Sequence, residues 1–113
     1  MALLALQVSN NELTTSFVTQ YTVPASKTLR IMEIHLCNTT GAAANVTMCL
    51  PESGETADDA TPNANAIMKG FDVPPGLPVA LAMNTFLNAG DFISAKASVA
   101  GVCCIISGLL EDV

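Results

Sequence analysis

Charge is what this chain has least of. Only 12% of its 113 residues are charged, against about 25% in an ordinary soluble domain. Lys27, Arg30, Lys69 and Lys96 are the four cations, scattered along the chain, and the net charge at pH 7 is −6. Neutralising a phosphate backbone takes several clustered cations, so the composition excludes nucleic acid as a partner. The same deficit argues against an anionic membrane surface. There is no Trp and one Tyr, which removes the exposed aromatic platforms that sugar-binding jelly rolls use. His35 is the one histidine, which leaves little for proton-transfer chemistry.

Long hydrophobic runs are missing too. The longest, Ala97 to Leu110, is broken by Ser98, Gly101, Ser107 and Gly108 and falls short of the roughly 20 residues of a membrane-spanning helix. Met1–Leu6 is apolar, but it is too short for a signal peptide and lacks a basic leader. The expectation is a protein folded in the cytoplasm, where Cys37, Cys49, Cys103 and Cys104 remain free thiols.

Half of the residues are hydrophobic. One domain spanning 1–113 fits this length and can bury a core without metals or disulfides. A folded chain of 11.7 kDa exposes roughly 5,900 Å². Four cations and ten carboxylates cannot dress that area in a mixed-charge coat. Part of the surface must be neutral or apolar, and such surface is usually an interface.

The pattern along the chain is β. Alternating and β-branched runs predict strands over Leu3–Val8, Thr14–Val23, Thr28–Cys37, Ala43–Leu50, Ala64–Phe71, Leu77–Leu87, Asp91–Ser98 and Val102–Leu109. Turn residues sit between them, at Pro24-Ala-Ser26, Asn38-Thr-Thr-Gly41, Pro74-Pro-Gly76, Asn88-Ala-Gly90 and Ala100-Gly101. Eight short strands at this spacing predict an all-β antiparallel sandwich, jelly-roll-like. The expected core is Met32, Ile34, Leu36, Val46, Met48, Leu50, Val79, Leu81, Ile93 and Ile106. Pro51–Asn63 is the one long loop, polar and acidic. Met1–Leu13 is expected to form an arm that docks on a neighbouring subunit, with an edge strand of its own domain as the competing reading.

Sites of chemistry are hard to find. Glu33, His35 and Cys37 share a strand face, but no third orienting group or Gly-rich oxyanion turn accompanies them, so a hydrogen-bonded surface histidine is the plainer reading. The cysteines form no C-x-x-C, and Cys103 and Cys104 point to opposite faces, whereas zinc needs converging ligands. Glu52, Glu55, Asp58 and Asp59 gather in the long loop without the alternating oxygen ligands and central glycine of a calcium loop. Two glycosylation sequons, Asn38-Thr-Thr40 and Asn45-Val-Thr47, would be used only in a secreted chain. No catalytic residue, metal site or cofactor is assigned, and an enzyme is not expected. The interface is expected at Leu3, Leu4, Leu6, Ile31, Glu33 and His35.

Three stretches carry a resemblance. Tyr21-Thr-Val-Pro-Ala-Ser-Lys-Thr-Leu-Arg-Ile31 leads into Ile34-His-Leu-Cys-Asn-Thr-Thr-Gly41. Leu87-Asn-Ala-Gly-Asp-Phe-Ile-Ser-Ala-Lys-Ala-Ser98 follows later, before an apolar strand ending in Ile106-Ser-Gly108. From about Tyr21 to Gly108 this order resembles the small β-sandwich virion proteins of tailed bacteriophages: capsid decoration (cement), neck and fibre proteins. These are strand–turn signatures rather than active-site signatures, and the acidic loop is longer than the family's usual connection there. The resemblance implies a virion structural protein assembled in the host cytoplasm, a homo-oligomer, often a trimer. A cement protein on the outside of the major capsid protein shell is the leading expectation. A neck or tail-fibre component is the alternative, and a carbohydrate-binding module a more distant one.

Overall fold

Eight strands carry the chain in a computed structural model that describes residues 3–56 and 65–112. They are β1 (Leu3–Leu13), β2 (Val18–Thr22), β3 (Lys27–Asn38), β4 (Ala44–Cys49), β5 (Ala66–Val73), β6 (Pro78–Leu87), β7 (Phe92–Ala97) and β8 (Val102–Asp112). Each predicted strand is present. The strands divide into two antiparallel sheets, β1-β8-β3-β6 and β2-β7-β4-β5, the strand order of a jelly roll.

Alternation builds the core. On β8, Val102, Cys104 and Ile106 are fully buried, while Cys103, Ile105 and Ser107 between them are half-buried on the outward face. Val46 and Met48 of β4 and Ile93 and Ala95 of β7 close the core from the second sheet. Removing each such aliphatic side chain from water contributes about 1.5–3 kcal/mol, so the inner faces of the two sheets hold the sandwich together.

A crease crosses the first sheet and changes that alternation. Ile31 pairs with Gly108 and Glu33 with Ser107, so Met32 is an extra residue on β3. On the other side of β8, Gln7 pairs with Ser107 and Ser9 with Ile106, so Val8 is extra on β1. Both neighbours of β8 thus bulge at Ser107, which bends the sheet and increases its twist. Gly108 belongs in this crease. A Cβ there would lie 2.6 Å from the Arg30 carbonyl oxygen and 3.0 Å from Leu29 Cδ1, which only glycine tolerates.

The bulge corrects two sequence expectations. Met32, expected in the core, is 38% exposed, and Ile31, expected at an interface, is fully buried. Leu50, Val79 and Leu81 are half-buried and pack against the core's edge, while Ile34, Leu36, Val46, Met48, Ile93 and Ile106 are core residues as expected. The amino-terminal segment is also corrected. Leu3–Leu13 is not an arm but an edge strand paired with β8 from Leu3↔Glu111 to Leu13↔Val102.

Asn38 pins the β3–β4 turn. Fully buried, its amide donates to the carbonyls of Ala42 (2.7 Å) and Val73 (3.0 Å), and its carbonyl oxygen accepts from the Thr40 backbone N–H and hydroxyl. Burial closes Asn38 to sugar attachment in the folded chain, whereas Asn45 is exposed.

Candidate functional site

The outward face of the β1-β8-β3-β6 sheet reads as cross-strand rows. One row is Glu12, Cys103, Cys37 and Pro78; the next is Asn10, Ile105, His35 and Ala80. Across the crease come Gln7, Ser107, Glu33 and Ala82, then Ala5, Leu109, Arg30 and Phe86. Apolar residues thus run down β8 and β6, and the charges of the middle rows stand on β3.

Those charges are partnered. His35 Nε2 bonds Glu33 Oε1, with side chains 47% and 46% exposed. An exposed pair of this kind is worth about 0–1 kcal/mol. Glu33 and His35 thus form a hydrogen-bonded pair on the surface of β3. Arg30 lies over Phe86, its guanidinium carbon 6.0 Å from the ring centroid, and Phe86 itself is 67% exposed. Thr28, Arg30, Phe86, Leu109 and Glu111 line a shallow groove at this end of the face.

β6 stands at the edge of the sheet, and its sequence, Pro78-Val-Ala-Leu-Ala-Met-Asn-Thr-Phe-Leu87, contains no charge. Edge strands offer unpaired backbone donors and acceptors, and proteins usually blunt them with charges, bulges or covering segments. Within β6 such devices are the proline at its first position and the register shift that sets Met83 and Asn84 opposite Met32. At the opposite edge, β1 carries the polar run Ser9-Asn10-Asn11-Glu12.

The expected interface residues scatter. Glu33 and His35 lie together on the outward face. Leu4 (57% exposed) and Leu6 (half-buried) follow the inward alternation of β1, opposite Leu110 and Gly108. The side chain of Leu3 lies outside the described residues. Ile31 is core. Phe86, Ile105 and Leu109 are the large apolar residues of the outward face; the alternation of β6 and β8 signals them, but only the pairing register sets Leu109 and Phe86 on either side of Arg30.

The second sheet bears a smaller polar hollow lined by Thr15, Asn45, Thr47, Lys96, Ala97 and Ser98, with the Lys96 ammonium 4.8 Å from the Phe17 ring centroid. In the acidic loop the Glu52 N–H donates to Glu55 Oε1 at 2.7 Å; Asp58 and Asp59 lie outside the described residues. No group of three His, Cys, Asp or Glu side chains converges as metal ligands among the described residues, nor is any described helix long and apolar enough to cross a membrane.

The thiols fall into two classes. Cys49 and Cys104 are buried, and Cys37 and Cys103 are half-buried on the outward face. Burial pushes the Cys104 thiol up to about 12, with Cys103 beside it adding to the rise. Burial raises Cys49 as well.

No protein-family model matches this chain, and no curated protein sequence matches it. Among solved structures, a chain from Bacillus endospore appendages, described as a novel family of disulfide-linked pili, superposes with a TM-score of 0.58. The identity is 14%, over 99% of this chain and 89% of that one. A chain of the infectious bursal disease virus Gx strain aligns with a TM-score of 0.49 at 10% identity, over 96% of this chain but only 32% of that one. At 14% identity the likeness to the pilus chain is one of fold.

Proposed function

We propose that this chain is a structural subunit of a tailed-phage particle, a decoration (cement) protein that self-associates as a trimer and binds the outside of the major capsid protein shell. The observation that carries the reading is the uncharged edge strand β6, with the exposed ring of Phe86 near its end. An uncharged edge strand with unpaired backbone groups and an exposed aromatic ring is a natural association site, and symmetric closure covers the same edge on every copy. The acidic balance of the chain suits the outer surface of a capsid better than one lining packaged DNA, which would favour cations. The strand–turn resemblance from Tyr21 to Gly108 supports a virion part. The pilus chain is a case of a similar fold in a protein assembly.

Copy number tests the assignment. Quantitative mass spectrometry of purified particles is expected to find hundreds of copies. About a dozen would move the protein to the neck or fibres, and absence from the particle would refute a virion role.

A further inference from the structure

Cys37 and Cys103 face each other across the two central strands of the first sheet. We propose that they are a redox-active dithiol that closes to a cross-strand disulfide when it meets a low-molecular-weight disulfide such as oxidised glutathione.

The register carries the inference. The Thr39 N–H donates to the Gly101 carbonyl at 2.9 Å, so Thr39 and Gly101 are a hydrogen-bonded pair. Cys37 and Cys103 lie two residues further along the same unbroken register, and antiparallel pairs of one type recur every second residue. Such pairs hold their Cα atoms about 5.5 Å apart, inside the roughly 4.4–6.8 Å that a disulfide spans. Both side chains stand on the outward face and both are half-buried, so a soluble oxidant can reach them. Cys104, next in sequence, points into the core and is fully buried, and Cys49 lies buried on the other sheet.

The chemistry balances through two exchanges. The thiolate of one cysteine attacks oxidised glutathione, forms a mixed disulfide and releases one glutathione. The second cysteine then attacks the protein sulfur of that mixed disulfide, forms the Sγ–Sγ bond and releases the second glutathione. The two thiol protons of the protein end on the two departing glutathione molecules. The bond joins β3 to β8 and removes both thiols from the outward face. The sequence alone did not reveal this pairing, because the two residues are far apart in the chain and only the β3–β8 register brings them together.

Treating the native protein with oxidised glutathione, alkylating the remaining thiols and sequencing the linked peptides by tandem mass spectrometry tests the proposal. The thiol count is expected to fall from four to two, with Cys37 linked to Cys103 within one chain. Cys37→Ser and Cys103→Ser should each abolish the link and trap one glutathionyl adduct on the remaining partner, while Cys104→Ala should leave the link intact. Four persisting thiols, a bond between Cys103 and Cys104, or a dimer on a non-reducing gel would each overturn it.

Discussion

Ile31 and Ile34 stand three residues apart on β3, and both point into the core with no exposed surface. An unbroken strand would put them on opposite faces. Met32 bulges between them, absorbs the extra step and is left 38% exposed. Ile31→Ala should therefore cost about 2–5 kcal/mol, as truncation of a buried aliphatic side chain does. Met32→Ala should cost less than about 1 kcal/mol. Urea unfolding of the two variants checks the order; equal costs would mean that β3 is not bulged here.

That bulge marks where the sequence stops being legible. The eight strands could be placed because β-branched alternation and Gly, Pro and Asn turns signal them locally. Ile31-Met32-Glu33-Ile34 fits either face equally well, since the reason for the bulge lies on a different strand, at Gly108. The same holds for the ends of β1. Ser9-Asn10-Asn11-Glu12 looks like a loop, yet it continues the edge strand because Ser9 and Asn11 bond Gln20 of β2 at 3.3 and 3.1 Å. For the candidate face, the shared strand face of Glu33 and His35 was legible from alternation alone. Phe86, Ile105 and Leu109 needed the register.

Asn38 should be among the most costly polar residues to remove. Three of its four side-chain bonds close on Thr40 and Ala42 within the β3–β4 turn, and the fourth ties that turn to Val73 at the end of β5. Asn38→Ala strands the buried Val73 carbonyl and frees the turn. With about 1–3 kcal/mol for each unsatisfied buried group, a loss of about 2–4 kcal/mol is expected. Equilibrium urea unfolding measures it, and a loss below about 1 kcal/mol would show that water replaces these bonds.

Gly108→Ala should destabilise although it adds only a methyl group. The new carbon would lie 2.6 Å from the Arg30 carbonyl oxygen, a backbone atom that cannot turn aside. Overpacking of this kind costs about 1–3 kcal/mol. The thermal midpoint should drop, and an unchanged midpoint would mean that the crease opens freely.

Alkaline pH should destabilise the fold through its buried thiols. Cys104 is raised from 9.0 to about 12, and Cys49 is raised in the same direction. Above pH 9 the unfolded chain gives up these protons while the native state keeps them, so the unfolded state binds fewer protons and stability falls as pH rises. The contribution is fully present below pH 9 and is lost towards the native value. Each such thiol gives a slope of about 1.4 kcal/mol per pH unit. Cys104→Ala should flatten the decline between pH 9 and 11 in denaturant titrations, and an unaltered slope would assign it to other groups.

Phe86 tests the assembly itself. The ring is 67% exposed on an edge strand without charge, with Arg30 over one face. Burying a phenylalanine contributes about 1.5–3 kcal/mol, repeated in every copy of a symmetric oligomer. Phe86→Glu removes that contribution and places a like charge near its own symmetry mates, while the core beneath, at Leu87 and Leu29, is untouched. The variant should keep its far-ultraviolet spectrum and its unfolding midpoint at concentrations where the parent is monomeric. Light scattering at higher concentration should find the parent as a trimer and the variant as a monomer. A parent that stays monomeric at high micromolar concentration would remove the case for self-association. A variant that still trimerises would place the contact elsewhere than β6.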